Sequence, residues 1–371
     1  MIILIIILII ILIIIVTAIQ IRSQNNALVS VSYDCQFSKL LIEPGEEFEI
    51  VITVTNISRR FVPFVKLEQS FPGELIINGL KVSNTAAYGS YIHHVSTLYL
   101  MPRSKYVKRV KASLPTRGRY IFPGAHIRVG DFLALGDKVK KYEFLRREIV
   151  VYPKAMTAED IENAMSGIMG DISVRRFVME DPIMVVGFRE YTGREPMKAI
   201  SWNHSAKTAK LMVRQFDYTI ESSISVILDV QATGSVGDSD KKEFAFGTAR
   251  SVCQALERHG MKYDFLTNAT TADSTSRWSY MPERIGARHF SAIMEGLGRA
   301  THNYVETFRA ICETFVQKKN YDRFVILITV KSTAEVKNDI TYIENNNGGK
   351  VYIISTEELL HETGILSEIA V

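Results

Sequence analysis

The chain has 371 residues, 47% hydrophobic and 23% charged, with 44 Lys and Arg against 40 Asp and Glu for a net charge of +4. These proportions are those of a folded globular protein and exclude a disordered, collagen-like or disulfide-scaffold chain, while the small positive balance does not by itself point to nucleic acid. The three cysteines, Cys35, Cys253 and Cys312, stand far apart in no CxxC pair, so neither a zinc site nor a disulfide framework is indicated.

Residues 2–16 are an unbroken run of Ile, Leu and Val, extended by Thr17, Ala18 and Ile19 before Gln20 and Arg22. As a helix, ~19 residues at ~1.5 Å each span roughly 28 Å, enough for a bilayer core. Residues 1–21 are therefore expected to be a single-pass transmembrane anchor. A cleaved signal peptide is the alternative, since Val16-Thr17-Ala18 has cleavage-site spacing, but no basic region precedes the run. Arg22 follows the helix, and the positive-inside rule then leaves the remainder of the chain in the cytoplasm.

Residues 30–153 carry strand patterns. Phe48, Ile50, Ile52 and Val54 alternate with polar residues, and Pro44-Gly45 and Pro72-Gly73 mark turns on either side. Further short β-rich runs follow as far as Val151-Tyr152-Pro153. Many short strands with turn signals predict an antiparallel β-sandwich of immunoglobulin-like size. Arg103, Lys105, Lys108, Arg109, Lys111, Arg117 and Arg119 form a basic run with no acid among them. It reads as the solvated face of a strand, with anionic lipid or nucleic acid as the functional alternatives. His93 and His94 are adjacent, so in a strand they face opposite sides and cannot chelate together.

Residues 154–221 read as a connector. A helix is expected after Thr157, with Glu159 and Asp160 in its first turn. From residue 187 to 216 the segment is dense in Arg, Lys, Tyr and Trp and follows no clean period. Arg189, Trp202 and Arg214 are its expected anchors, holding either a partner or the chain's own domains. From 222 to 371, strands alternate with helices. That rhythm predicts a parallel, doubly wound α/β domain. The fold class is thus α+β multidomain: a transmembrane helix, an immunoglobulin-like sandwich and a doubly wound α/β domain.

Ligands of open α/β sheets bind beyond the carboxyl ends of the strands. Asp229 lies at such an end, with Gln231 and Thr233 at the next alternate positions, and three oxygen-bearing side chains can converge on Mg²⁺. Lys331, beyond a neighbouring strand, would repel a cation there and could neutralise Asp229 instead. His204-Ser205 lies in no G-x-S-x-G elbow, and no hydrolase triad, HExxH, dinucleotide fingerprint or kinase motif is present.

The segment around Trp202 resembles domain-of-unknown-function family fifty-eight, a family of bacterial membrane-anchored proteins. The matching positions are Arg189, Tyr191, Ile200, Trp202, Ser205, Ala206, Lys207, Leu211, Val213, Arg214 and Phe216. Lys198 stands in place of an arginine, Arg194-Glu195 in place of a Gly-Asp step, and Ala209 in place of a glycine. Arg117 to Gly124 and Gly130 to Gly136 also look like family sequence. The resemblance implies that residues 222–371 are like a von Willebrand factor A domain. In such domains an Asp-x-Ser-x-Ser motif often holds Mg²⁺, and Asp229, Gln231 and Thr233 are a degenerate form of it. It also implies work with a MoxR-type AAA+ ATPase or a transglutaminase-like membrane protein, and no catalytic residue is carried over.

The resulting expectation is a non-enzymatic adaptor at the cell membrane, its soluble part cytoplasmic. It needs no cofactor, although Mg²⁺ is conceivable, and it binds protein and membrane but not nucleic acid. Two alternatives stand beside it. One is a cell-surface or lipid-binding protein that uses the sandwich, and the other a metal-assisted hydrolase at Asp229.

Overall fold

The computed structural model describes residues 7–12, 14–18, 28–77, 85–88, 90–130, 137–143, 147–156, 165, 167–170, 185–193, 195–216, 224–232, 238–271, 279–318, 323–347 and 350–362. The chain divides into two units, Met1–Lys154 and Ala155–Val371. The helical start expected after Thr157 lies outside the described residues, as do Arg22, Arg194 and the segment 131–136.

Helical backbone runs over 7–12 and 14–18, and the large apolar side chains from Ile7 to Val16 are 39% to 65% exposed. Among the described residues no helix is long and apolar enough to cross a membrane. The anchor expected over residues 1–21 is thus represented only by these two short stretches.

In the first unit twelve strands are described: β1 (Val31–Phe37), β2 (Leu41–Ile42), β3 (Phe48–Asn56), β4 (Val62–Pro72), β5 (Ile76–Ile77), β6 (Thr85–Tyr88), β7 (Tyr91–Leu100), β8 (Lys105–Ser113), β9 (Gly118–Ile121), β10 (Gly124–Gly130), β11 (Asp137–Glu143) and β12 (Glu148–Val151). They form sheets ordered β1-β3-β8-β5, β11-β10-β4-β7-β6 and β2-β12-β9. In β3, Phe48, Ile50, Ile52, Val54 and Asn56 are buried while the residues between them are half-exposed. The period of two read from the sequence therefore marks one inward face. Those side chains share a core with Val65, Leu67 and Phe71 of β4, Val110 and Ala112 of β8, and Ile127 and Val129 of β10. The β-rich stretch from Gly118 to Gly130 forms two strands, β9 and β10. They break before Gly124, whose φ of +120° and close approach to the Tyr142 carbonyl leave no space for a Cβ.

The basic run is less bare than its sequence. Arg109 and Lys111 lie 3.8 Å from Glu49 and Glu47, and Arg119 pairs with Glu148. These acids come from or beside neighbouring strands, because antiparallel pairing sets Arg109 beside Val51 and Lys111 beside Glu49. The two adjacent histidines do face opposite sides. His94 is 4% exposed, while His93, on the other face of β7, meets the Ser70 hydroxyl at 3.0 Å.

The second unit contains β13 (Val185–Glu190), β14 (Met212–Phe216), β15 (Ile224–Asp229), β16 (Tyr263–Thr267), β17 (Ala269–Thr271), β18 (Tyr280–Arg284), β19 (Ala300–Tyr304), β20 (Phe324–Thr329) and β21 (Val351–Ser355). Its main sheet is ordered β18-β16-β15-β20-β21. All neighbours are parallel except β18, which runs antiparallel at the edge. The sequence from Glu283 reads as helix, yet residues 280–284 form this edge strand and the helix is Ala287–Arg299. The helix that follows β15 runs from Asp238 to Arg258.

Every residue of β15 and β20 is buried, so the unbroken apolar runs signal a sheet covered on both faces. On one face Ile227, Leu266, Val325 and Leu327 pack against helices Phe308–Gln317 and Thr333–Asn347. Alternation turns Val226, Leu228, Ile326 and Ile328 to the other face, where the Asp238–Arg258 helix lies against β15 and β20. Strand order reverses between β15 and β20, and their carboxyl ends adjoin at the registered pair Asp229 and Thr329.

Candidate functional site

Two places gather the residues singled out by sequence. The first is the switch point. Asp229 ends β15 and is fully buried. Its Oδ1 accepts from the Gln231 backbone N–H at 2.9 Å and from the Asn268 amide at 2.6 Å, and its Oδ2 accepts from the Thr329 hydroxyl at 3.1 Å. The Asn268 carbonyl in turn accepts from Val230 N–H at 2.8 Å. Burial is the largest influence on the Asp229 carboxyl and raises its pKa. The Gln231 N–H, the charge of Lys331, Asn268 and Thr329 oppose the rise.

The Gln231 side chain does not turn toward Asp229. Its carbonyl oxygen accepts from Phe308 N–H at 2.8 Å and caps the Phe308–Gln317 helix beside the N-cap Thr307. Thr233 lies outside the described residues. A hard cation needs free oxygen lone pairs facing one point. Asp229 is sealed and hydrogen-bonded, Gln231 is engaged elsewhere, and Lys331 adds positive charge. The described residues of the degenerate triplet therefore do not fit Mg²⁺, and their geometry is that of a structural junction. Asn268, which completes that junction, carries no motif. The signal that finds it is positional, since it follows β16, the strand flanking β15.

Nearby, Ser239, His302 and Glu243 form a row. Ser239 Oγ lies 3.3 Å from His302 Nδ1, and His302 Nε2 lies 2.6 Å from Glu243 Oε1. Lys242 Nζ donates to the His302 carbonyl at 2.9 Å. The Ser–His contact is long, Ser239 is exposed and the His302 and Glu243 side chains are about two-fifths exposed, so among the described residues nothing desolvates the serine for nucleophilic work. The row ties β19 to the start of the Asp238–Arg258 helix.

The second place is the segment that looked irregular in sequence. It folds as an antiparallel pair, β13 with β14, closed by a short helix, Trp202–Thr208. A bridge between Ile200 and Val213, both buried, adds a third rung beside β14. Ser205 holds the module together. Its hydroxyl accepts from Met212 N–H at 2.8 Å and donates to the Ser201 carbonyl at 2.9 Å. Ser201 N–H donates to Met212 O at 2.8 Å, and Tyr191 N–H donates to Leu211 O at 2.8 Å. Ala209, which stands where the resemblance expects a glycine, is the helix C-cap with φ +53°, a left-handed conformation that glycine adopts without cost.

Arg189 pairs with Glu195, and the Thr192 hydroxyl and backbone N–H also donate to that carboxylate. Donation from Thr192 first, and from Arg189 after it, holds the Glu195 carboxyl down to about 2. Phe188 stacks on His204, with ring centroids 3.5 Å apart, and sits opposite Arg214 in register. Trp202 is 60% exposed, Met197 68% and Leu211 47%, and Lys207 and Arg214 are exposed as well. Trp202 thus does little to fasten the module itself. The fastening belongs to Ser205 and the backbone.

Comparison with known proteins places this module in context. Residues 187–343 match a family described as a protein of unknown function, DUF58. The uncharacterized protein YeaD of Bacillus subtilis (strain 168) is 20% identical over 248 residues, covering 65% of this chain and 57% of that protein. The chain thus spans little more than half the length of this curated relative. Among solved structures, the CARDB domain of the PF1109 protein from Pyrococcus furiosus matches 33% of this chain and 91% of its own, at 14% identity and a TM-score of 0.19. The native form of α2-macroglobulin from E. coli matches 33% of this chain and 9% of its own, at 11% identity and a TM-score of 0.26.

Proposed function

We propose that the chain is a membrane-anchored, non-enzymatic adaptor that docks a protein partner on the β13–β14 module. The observation that carries the reading is Trp202, a large aromatic left 60% exposed on a module whose backbone is otherwise fastened. An exposed tryptophan among cations costs solvation in isolation, and Trp and Arg dominate binding energetics at interfaces. Leu211 and Met197 are further exposed apolar side chains of the module, and Lys207 and Arg214 favour an acidic partner. Exposed apolar side chains all round the N-terminal helical stretches suit lipid better than water, which supports the anchor. One charge, Arg22, favours a cytoplasmic soluble part. The switch-point topology supports reading the α/β unit as von Willebrand factor A-like, with its Asp229 position turned to structure. The family resemblance suggests a MoxR-type AAA+ ATPase or a transglutaminase-like membrane protein as the partner.

The test is recovery of partners by the full-length protein from its own membranes, with and without ATP, for the wild type and Trp202→Ala. Nucleotide-dependent recovery of an AAA+ ATPase by the wild type, lost in the variant, supports the reading. Equal recovery by both moves the docking surface elsewhere. Recovery of envelope proteins alone reverses the topology.

A further inference from the structure

His94 and Lys108 share one narrow space between the two larger sheets of the first unit. His94, on β7, pairs in register with Gln69 of β4, and Lys108, on β8, pairs with Ile52 of β3. Ile50, Ile52, Gln69, Phe71, Ile77 and Val110 complete the lining, and the space has no room for a water molecule. Neither ring nitrogen of His94 has a hydrogen-bond partner among the described residues. The Gln69 amide that could have donated is directed to the Tyr33 hydroxyl at 2.8 Å.

A neutral imidazole survives such a site at the cost of one unmade donor and one unmade acceptor. An imidazolium does not, because it adds a charge and a second donor in a dry apolar interior. The described groups around it offer no relief. Lys108 is the charged neighbour and repels a second cation. On β1, Tyr33 and Cys35 are both pushed up by burial, Cys35 to about 11, so they remain neutral in acid. Gln69 is neutral, and the residues from β3 and β5 are apolar.

We propose that the sandwich is an acid-responsive unit, in which protonation of His94 beside Lys108 loosens the packing of β4 and β7 on β3 and β8. Burial first, and then Lys108, holds the His94 pKa below its ordinary value of 6.5. For a histidine shifted in that direction, stability is fully present above 6.5 and is lost as pH falls through the folded-state value. The response therefore lies on the acid side of 6.5 and leaves the sandwich unaltered at neutral pH.

Hydrogen exchange of the full chain at pH 7.5 and pH 5, corrected for the intrinsic rate, tests this. Amides of β4, β7 and β8 should exchange severalfold faster at the lower pH in the wild type. His94→Leu should abolish the difference, and Lys108→Met should shrink it by bringing the histidine closer to 6.5. An undiminished acid response in His94→Leu overturns the proposal. Should that variant not fold, titration of the ¹³C-labelled His94 ring in the wild type decides it. A midpoint below 6.5 supports the switch, and one at or above 6.5 sinks it.

Discussion

Asp229 at the end of β15 and His94 in the middle of β7 are both buried titratable side chains, yet donors surround the first and, among the described residues, none reaches the second. Their places in the sheets explain the difference. At a strand end the backbone leaves the ladder, so N–H groups such as that of Gln231 are free to turn onto a side chain. In mid-strand every neighbouring backbone group is committed to pairing, and only side chains remain to answer. The sandwich core, built from one face of each strand, answers His94 with aliphatic and aromatic groups. A buried polar side chain is thus cheap where strands end and expensive where they cross the core.

The comparison breaks most visibly at Asp229. Asp229→Ala leaves the Asn268 amide, the Gln231 N–H and the Thr329 hydroxyl without their acceptor. It should lower the stability of the second unit by about 3 kcal/mol, against about 1 kcal/mol for Asp229→Asn. Urea unfolding followed by circular dichroism checks this, and a loss below half the first figure would deny the junction its structural role.

Acid sharpens the contrast, because Asp264 in the second unit and His94 in the first should respond with opposite signs. Asp264 is buried beside Arg323, and burial pushes its carboxyl up to about 6. A carboxyl raised in this way contributes stability that is full below its ordinary value of 3.8 and lost as pH rises through about 6. Lowering pH from 7 to 5 should therefore strengthen the Asp264 contribution by about 1 kcal/mol, against an opposing loss from buried His289, whose pKa is lowered by burial, while the sandwich loosens. Peptide-resolved hydrogen exchange distinguishes this from a uniform acid loss, which would contradict it.

Smaller effects belong to the β13–β14 module. Ser205→Ala removes the acceptor of Met212 N–H and should cost about 1 kcal/mol in thermal unfolding. Trp202→Ala should change stability by less than about 0.5 kcal/mol, as expected of an exposed side chain, while removing partner recovery. A large loss of stability in Trp202→Ala would return that residue to a structural role.

Much of the fold was legible in the sequence. The alternation from Phe48 to Val54 announced a one-sided strand, and the unbroken runs ending at Asp229 and Thr329 announced strands buried on both faces. Less was legible where local preference and pairing disagree. Residues 280–284 carry charge and proline yet form an edge strand, because an edge needs only one partner, here β16. The β13–β14 pair has no clean period because it buries little beyond Ile200 and Val213. Its Ser205 was visible as a motif residue, but its work on Met212 was not.

Local periodicity, by itself, determined which residues face inward and whether one or both sides of a strand are covered, because burial free energy follows the side-chain repeat of each element. Only the tertiary structure decided which distant residues meet. Asn268 reaches Asp229, Glu49 reaches Arg109, and Lys108 comes to share a dry space with His94, because strand order and register are choices among distant segments. Those meetings, rather than the residue types, make one buried group secure and leave the other exposed to acid.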